Sequence, residues 1–189
     1  MIIWITGLSG AGKTTIGREI HRIWRETEPN TVLVDGDAVR SLVRFNSGVD
    51  AYTHQGRFEA ASRYCDICEW LDKEGINVVC CTISFYQKLR QRNRDNLKDY
   101  FEVFVSVPME ILVERDIKNL YEPALRGEIK NVVGVDLELQ EPEDPDILID
   151  NSADRDSLTG IATQILDAAL AKRLTNAGPD VRANRTPSA

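Results

Sequence analysis

Apolar residues along this chain fall into short unbroken runs separated by amphipathic stretches. Met1-Ile2-Ile3-Trp4-Ile5-Thr6 shows no polar alternation and reads as a strand buried on both faces. Ile16, Ile20, Ile23 and Trp24 then recur at helical spacing. Thr31-Val32-Leu33-Val34 reads as a second strand, and a short helix opens at Ala38-Val39-Arg40. Residues 46–52 are polar and contain glycine, which predicts a loop. From Thr53 to Glu74 the apolar stripe of Phe58, Ala61, Cys65 and Cys68, with Tyr64, Ile67 and Leu71 beside it, predicts a long helix. Thr53 is its expected N-cap and Gly75 its stop. Ile76 to Ile83 is almost continuous and β-branched, the pattern of a central parallel strand. The charged stretch Gln87 to Lys98 is a predicted helix, and residues 101–107 are the next strand. Pro108 suits a first helical turn, with that helix running to about Asp116. Ile147-Leu148-Ile149 is the last strand. Ser152 is the expected cap of a final helix that buries Leu158, Ile161, Ile165 and Ala169 and ends near Leu174.

Strands alternating with helices define an α/β fold, a doubly wound parallel sheet of about five strands. Residues 1–174 form one domain, and residues 175–189, without pattern, are expected to fray. No repeat or linker divides the chain. Ile117 to Pro145 has no sustained period but carries Lys118, Arg126, Gly127, Lys130 and Gly134. Loops of that length in compact domains are usually functional or disordered, and this one reads as a mobile lid over residues 117–145. Right-handed crossovers bring the carboxyl ends of the strands, with the loops that leave them, to one edge.

Composition narrows the class. With 42% hydrophobic and 28% charged residues the chain is that of a soluble globular domain. A net charge of −7 argues against nucleic-acid binding, which needs basic patches. The first strand starts at residue 2, which leaves no room for a signal peptide, and no apolar run reaches membrane length, so no membrane partner and a cytoplasmic location are expected. Cys65 and Cys68, then Cys80 and Cys81, have no partner pair at zinc spacing and read as buried core thiols.

The chemistry is concentrated in Gly7-Leu8-Ser9-Gly10-Ala11-Gly12-Lys13-Thr14-Thr15. This stretch fits the phosphate-binding loop G-x-x-x-x-G-K-[ST] and sits between a strand and a helix, as that motif requires. Glycines let backbone N–H groups approach crowded phosphate oxygens, and the helix N-terminus adds positive dipole. Gly7, Ser9, Gly10, Ala11, Gly12, Lys13, Thr14 and Thr15 are therefore the expected ATP-binding residues, with the Thr14 hydroxyl on Mg²⁺. Asp35 and Asp37 lie at a strand end beside the loop; a carboxylate there can bind Mg²⁺ or take a proton from an attacking hydroxyl. Lys13, Asp35 and Asp37 are the catalytic candidates, with Thr14 and Asp35 as the metal pair; Asp37 alternatively only caps the helix at Ala38. Arg40, one turn on, can grip an anionic acceptor, and Ser84 comes after another strand end. Arg115, Lys118 and Arg126 are candidate lid cations.

These residues carry a resemblance to the adenylylsulfate (APS) kinase family, P-loop kinases with a mobile lid. Val34-Asp35-Gly36-Asp37-Ala38-Val39-Arg40 resembles that family's Asp-Gly-Asp-Asn-x-Arg, with Ala38 at the Asn. Tyr52-Thr53-x-x-x-Arg57-x-Glu59 resembles Phe-Ser-x-x-x-Arg-x-Glu. Glu114-Arg115-Asp116, Lys118, Leu120-Tyr121 and Gly127-Glu128-Ile129-Lys130 are similar to its lid, and Gly134-Val135-Asp136 to the stretch just after it. The resemblance implies transfer of the γ-phosphate of ATP to the ribose 3′-hydroxyl of APS. It implies that Lys13 and Thr14 hold ATP and Mg²⁺, that Asp35 is the base or the Mg²⁺ partner, and that Arg40 and Arg57 hold the acceptor. Arg115 is further expected at ATP, and Asp37, Ser84, Lys118 and Val132 at the acceptor. Tyr52 takes the place of an aromatic that stacks on adenine.

The departures fall on the base pocket. Ala60 stands at the family's Asn, and Val132 at the Phe of its Gly-Phe-Thr-Gly lid. Lid positions usually basic are Glu122, Pro123 and Leu125. Altered members with a lid of this kind resemble cytidine diphosphoramidate kinases of capsule-modifying pathways. APS is thus the default acceptor, a cytidine diphosphoramidate the alternative, and a non-catalytic nucleotide-binding regulator the alternative from another class. ATP and Mg²⁺ are the expected cofactors, a small nucleotide the partner, and a homodimer the assembly kept in view.

Overall fold

The structure is a computed structural model that describes residues 1–43, 52–116, 119–153 and 157–176. The elements run β1 (Ile2–Thr6), α1 (Lys13–Thr27), β2 (Thr31–Asp35), α2 (Gly36–Val43), α3 (His54–Lys73), β3 (Asn77–Cys81), α4 (Gln87–Asn96), β4 (Tyr100–Ser106), α5 (Met109–Arg115), α6 (Tyr121–Leu125), β5 (Ile147–Asp150) and α7 (Leu158–Asn176). The sheet has five strands in the order β2-β3-β1-β4-β5, and every pairing is parallel. This is the expected doubly wound α/β fold. The loop at residues 46–51 and the tail at 177–189 lie outside the described residues.

β1 has no solvent face because both sides of the sheet are covered. Ile3 and Ile5 join a core with α1, α5 and α7, while Ile2 and Trp4 join a second core with α3 and α4. Burying such branched side chains contributes about 1.5–3 kcal/mol each. Only the edge strands expose apolar residues, Val32 on β2 and Leu148 on β5. α1 lies so close to β3 that a Cβ on Gly17 would fall 2.2 Å from Cys81 Sγ. The four cysteines are buried and unbridged, as their spacing suggested.

The long helix α3 begins and ends as its sequence indicates. Thr53 Oγ1 accepts from Gly56 N at 3.2 Å, and Gly75, at φ 72°, turns the chain out. α4 has no apolar stripe, and beside its one buried leucine, Leu89, it packs through ionic contacts. Its Arg90 pairs with Glu102 of β4 at 3.2 Å, both almost fully buried, and Arg94 pairs with the same carboxylate at 2.6 Å. Burial pushes the Glu102 pKa up against the pull of those cations.

Three details differ from the sequence expectation. Ser157, not Ser152, caps the last helix: Ser157 Oγ accepts from Gly160 N at 2.9 Å, and Ser152 instead donates its N–H to Asp150. Leu158 therefore sits on the outer first turn, exposed, and Ala162 and Leu166 share the buried stripe in its place. The third difference is in residues 119–145, which contain α6 and a closed turn. Asp116 accepts from the N–H groups of Leu120, Tyr121 and Glu122, at 2.7, 3.1 and 3.3 Å. Asp136 accepts from Asn131 N and Val132 N, at 2.7 and 2.5 Å. Single carboxylates organise this segment, so no hydrophobic period betrays it.

Candidate active site

At the carboxyl edge of the sheet β1 gives way to the phosphate loop. Gly10 and Gly12 adopt φ of 76° and 95°, a region that side chains with a Cβ rarely enter. α1 starts at Lys13, three residues before Ile16 opens the helical spacing visible in sequence. Lys13 is buried and its Nζ donates to Leu8 O at 2.7 Å. Gly7 has a different reason to be glycine: a Cβ there would lie 2.4 Å from Val105 O on β4.

β2 ends beside this loop. Thr14 Oγ1 donates to Asp35 Oδ2 at 2.6 Å. The other oxygen, Asp35 Oδ1, accepts from Asp37 N at 3.1 Å and Ala38 N at 3.0 Å. Asp35, and not Asp37, is therefore the residue that caps α2. The helix N-terminus fixes the carboxylate, and the carboxylate fixes Thr14. Asp37 stands exposed on the first turn, at the cavity wall.

A cavity of about 470 Å³ opens over these groups. Gly10, Gly12, Lys13, Thr14 and Asp35 bound the end at the phosphate-loop motif. Arg40, Tyr52 and Arg57 bound the other end, and lid residues Ile129 to Val133 complete the wall. The Arg40 and Arg57 guanidinium carbons lie 5.5 and 5.4 Å from the Tyr52 ring centroid, within cation–π range. Arg57 also donates to Tyr52 O at 2.9 Å and to Asn131 O at 2.7 Å, so one side chain ties the start of α3 to the lid. Burial, and then the charge of Arg40, lower the Arg57 pKa. Both arginines stay cationic at neutral pH, since arginine starts so high. The lid valines divide between the two cores. Val132 packs with the core of the phosphate loop and α5, and Val133 with the core of α3, Phe85 and Tyr86.

Other expected site residues lie elsewhere. Ser84 is buried beneath the sheet edge, its N–H donating to Thr6 Oγ1, and does not line the cavity. Arg115 donates to the carbonyls of Asn151 and Ser152 at 3.0 and 3.1 Å and is also absent from the cavity wall. Arg126 points to solvent, paired with Glu128 at 2.7 Å. Lys118 lies outside the described residues. Thr82 and Ile83 line the cavity although no motif marks them, because they lie just past the end of β3. Tyr121 entered the sequence reading only within the lid resemblance and Asn151 not at all, yet both contact the phosphate loop from behind.

The donor set suits the expected cofactors. A hydroxyl and a carboxylate oxygen are hard donors, and Mg²⁺ is commonly held by one or two such protein groups with phosphate oxygens and water. Among the described residues no three His, Cys, Asp or Glu side chains gather as an all-protein metal cage. No described helix is long and apolar enough to cross a membrane.

Comparison with known proteins agrees with this geometry. The adenylylsulphate kinase family model matches residues 1–150. The chain is 40% identical over 151 residues to a cytidine diphosphoramidate kinase of Campylobacter jejuni, covering 80% of this chain and 86% of that protein. It is 34% identical over 181 residues to an adenylyl-sulfate kinase of Halothermothrix orenii, covering 96% and 95%. Its fold matches the APS kinase of Mycobacterium tuberculosis in complex with AMPPNP and APS, with a TM-score of 0.77, 30% identity and coverage of 88% and 95%. A cavity with a phosphate loop at one end and two arginines at the other thus sits in a fold shared with an APS kinase, and the chain belongs to the adenylylsulphate kinase family.

Proposed function

We propose that the chain transfers the γ-phosphate of ATP to the ribose 3′-hydroxyl of a 5′-modified nucleotide, and that a cytidine diphosphoramidate is its acceptor. The observation that carries the acceptor is the composition of the far wall. Among the described residues Tyr52 is the only ring that lines the cavity, and the lid adds aliphatic Val132 and Val133. One stacking face suits a small pyrimidine better than a purine, which gains more from a second ring. The 40% identical relative named for that activity supports the same choice. The family match and the adenylyl-sulfate kinase relatives keep APS as the second reading.

ATP would bring the phosphoryl group, and Mg²⁺ would neutralise charge on its oxygens. Thr14 and Asp35 are the pair that would hold the metal. Both Asp35 oxygens already accept hydrogen bonds. Asp37, two residues later on the cavity wall, is the carboxylate proposed to take the proton of the attacking hydroxyl. Lys13 places positive charge on the cavity floor, and Arg40 and Arg57 meet the anionic 5′ group of the acceptor. The lid segment covers the cavity and keeps water from the phosphoryl group. A pure regulator has no use for paired carboxylates at this point.

The test is ADP release at fixed ATP with either acceptor supplied. Faster release with cytidine diphosphoramidate supports the proposal. Efficient use of APS with none of the cytidine compound leaves the APS reading standing. No acceptor-dependent release with either points to the regulator. A homodimer is kept as the proposed assembly, to be read by light scattering.

A further inference from the structure

Two residues outside the phosphate loop, and outside the cavity, grip its backbone. Tyr121 Oη donates to Ser9 O at 2.8 Å, and Asn151 Nδ2 donates to Ala11 O at 3.0 Å. These carbonyls belong to alternate peptide units, Ser9–Gly10 and Ala11–Gly12. In a planar trans peptide the C=O and the N–H point in opposite directions. Gly10 and Gly12 line the cavity, whereas Tyr121 and Asn151 do not. Holding the carbonyls back therefore turns the Gly10 and Gly12 N–H groups forward. Among the described residues no backbone carbonyl accepts from either of these N–H groups. We infer that Tyr121 and Asn151 are positioning residues, which aim the Gly10 and Gly12 N–H groups at the phosphate oxygens of a bound nucleoside triphosphate. The inference rests on the reading of the loop as the ATP site.

Both grips are built firmly. Tyr121 is 2% exposed. Burial, and then the neighbouring Asp116 carboxylate, push its phenol up to about 12, so it remains a donor at any working pH. Its helix is fixed by the Asp116 cap. Asn151 reaches the loop only because Gly12 has no side chain: a Cβ there would lie 2.6 Å from Asn151 Nδ2. The Asn151 backbone is held on both sides, its N–H donating to Ser106 O at 2.9 Å and its carbonyl accepting from Arg115 at 3.0 Å. Arg115 thus serves the nucleotide through Asn151. Tyr121 comes from the lid segment, so the lid and the loop share the orientation of one peptide.

Tyr121→Phe and Asn151→Asp each remove one donor with almost no change of shape. Three readouts apply to the full chain: equilibrium binding of ATP without acceptor, KM for ATP and acceptor, and the amide resonances of Gly10 and Gly12. Losing one hydrogen bond predicts about fivefold weaker ATP binding for Tyr121→Phe. Asn151→Asp should lose more, because its carboxylate faces a carbonyl oxygen. The double variant should multiply the two losses, acceptor KM should stay constant, and the resonance of the affected glycine should move in each variant. Unchanged ATP affinity in both variants overturns the inference, as does an equal loss for ATP and acceptor, which would mean general loosening. A wild-type chain that binds no ATP overturns the ATP reading as well, and is recognised by appearing before any substitution is made.

Discussion

The proposed phosphate end of the cavity comes from one continuous stretch, residues 9–15, completed by Asp35; the proposed acceptor end is drawn from Arg40, Tyr52, Arg57 and lid residues 129–133. The first, as proposed, offers backbone N–H groups, and two short side-chain bonds brace it. Its shape is written into glycine positions and a strand-to-helix junction, and little in it can vary without loss. The second works through side chains on separate segments that meet across the opening. Tyr52 is 55% exposed there, with both arginines against its ring. Residue types can change at that end while the sheet stays as it is. One family can therefore keep a single phosphoryl chemistry and alter the nucleotide it acts on.

Four substitutions probe this division, the most damaging first. Lys13→Ala should cut turnover by about 10²–10³-fold, the scale of losing one charge-stabilising donor, and leave the melting temperature within a few degrees. Steady-state kinetics with a thermal melt checks it, and near-normal turnover would remove the phosphate end from the chemistry. Asp35→Asn keeps the outline, but removes the charge and puts an NH₂ on one side, against the α2 N–H groups or against a Thr14 hydroxyl that must turn to accept. Turnover should fall by about 10²-fold with a much smaller change in ATP affinity. An intact rate would leave Asp35 as a helix cap alone.

Arg57→Ala acts at the other end. It should raise acceptor KM by about tenfold and leave the KM for ATP unchanged, since a charge-assisted contact is worth about 1.5–3 kcal/mol. Should ATP affinity fall instead, the two ends are not separable. The mildest change is Val132→Phe, which offers a second ring to the base. Use of APS relative to cytidine diphosphoramidate should rise by about fivefold, at the low end of a stacking contribution. Val132 is 2% exposed, so the larger side chain should also lower stability by about 1–3 kcal/mol, readable by denaturant unfolding. No change in the acceptor ratio would show that the lid wall does not read the base.

The same division governs what the sequence reveals. The phosphate loop, Asp35 and the cap of α3 are legible because each partner lies within a turn or comes after a recognisable strand. Even the swap of capping roles between Asp35 and Asp37 concerns neighbours two residues apart. Tyr121 and Asn151 are opaque for the opposite reason. Their partners, Ser9 and Ala11, lie 112 and 140 residues away. No spacing rule connects a tyrosine in an aperiodic stretch to a carbonyl in a loop. The lid segment hides its order in the same manner: Asp116 and Asp136 stand in motifs that carry the resemblance, but nothing in those motifs tells which N–H groups they cap. Ser152 and Ser157 are both plausible caps by residue type, and only the path of the chain after β5 decides between them.

β1 has consequences for the order in which a growing chain can fold. Its hydrogen-bonded neighbours are β3 and β4, so this first strand stays unpaired until residues 77–81 and then 100–106 have been made. The Ala11 carbonyl waits longer still, for Asn151. Non-local pairings of this kind slow folding, because loop closure comes before the contacts that offset it. A nascent chain therefore carries the phosphate loop sequence well before it can hold the loop in shape. Nucleotide capture during synthesis should begin only when β5 has left the ribosome, which makes ATP binding a late sign that the whole sheet has closed.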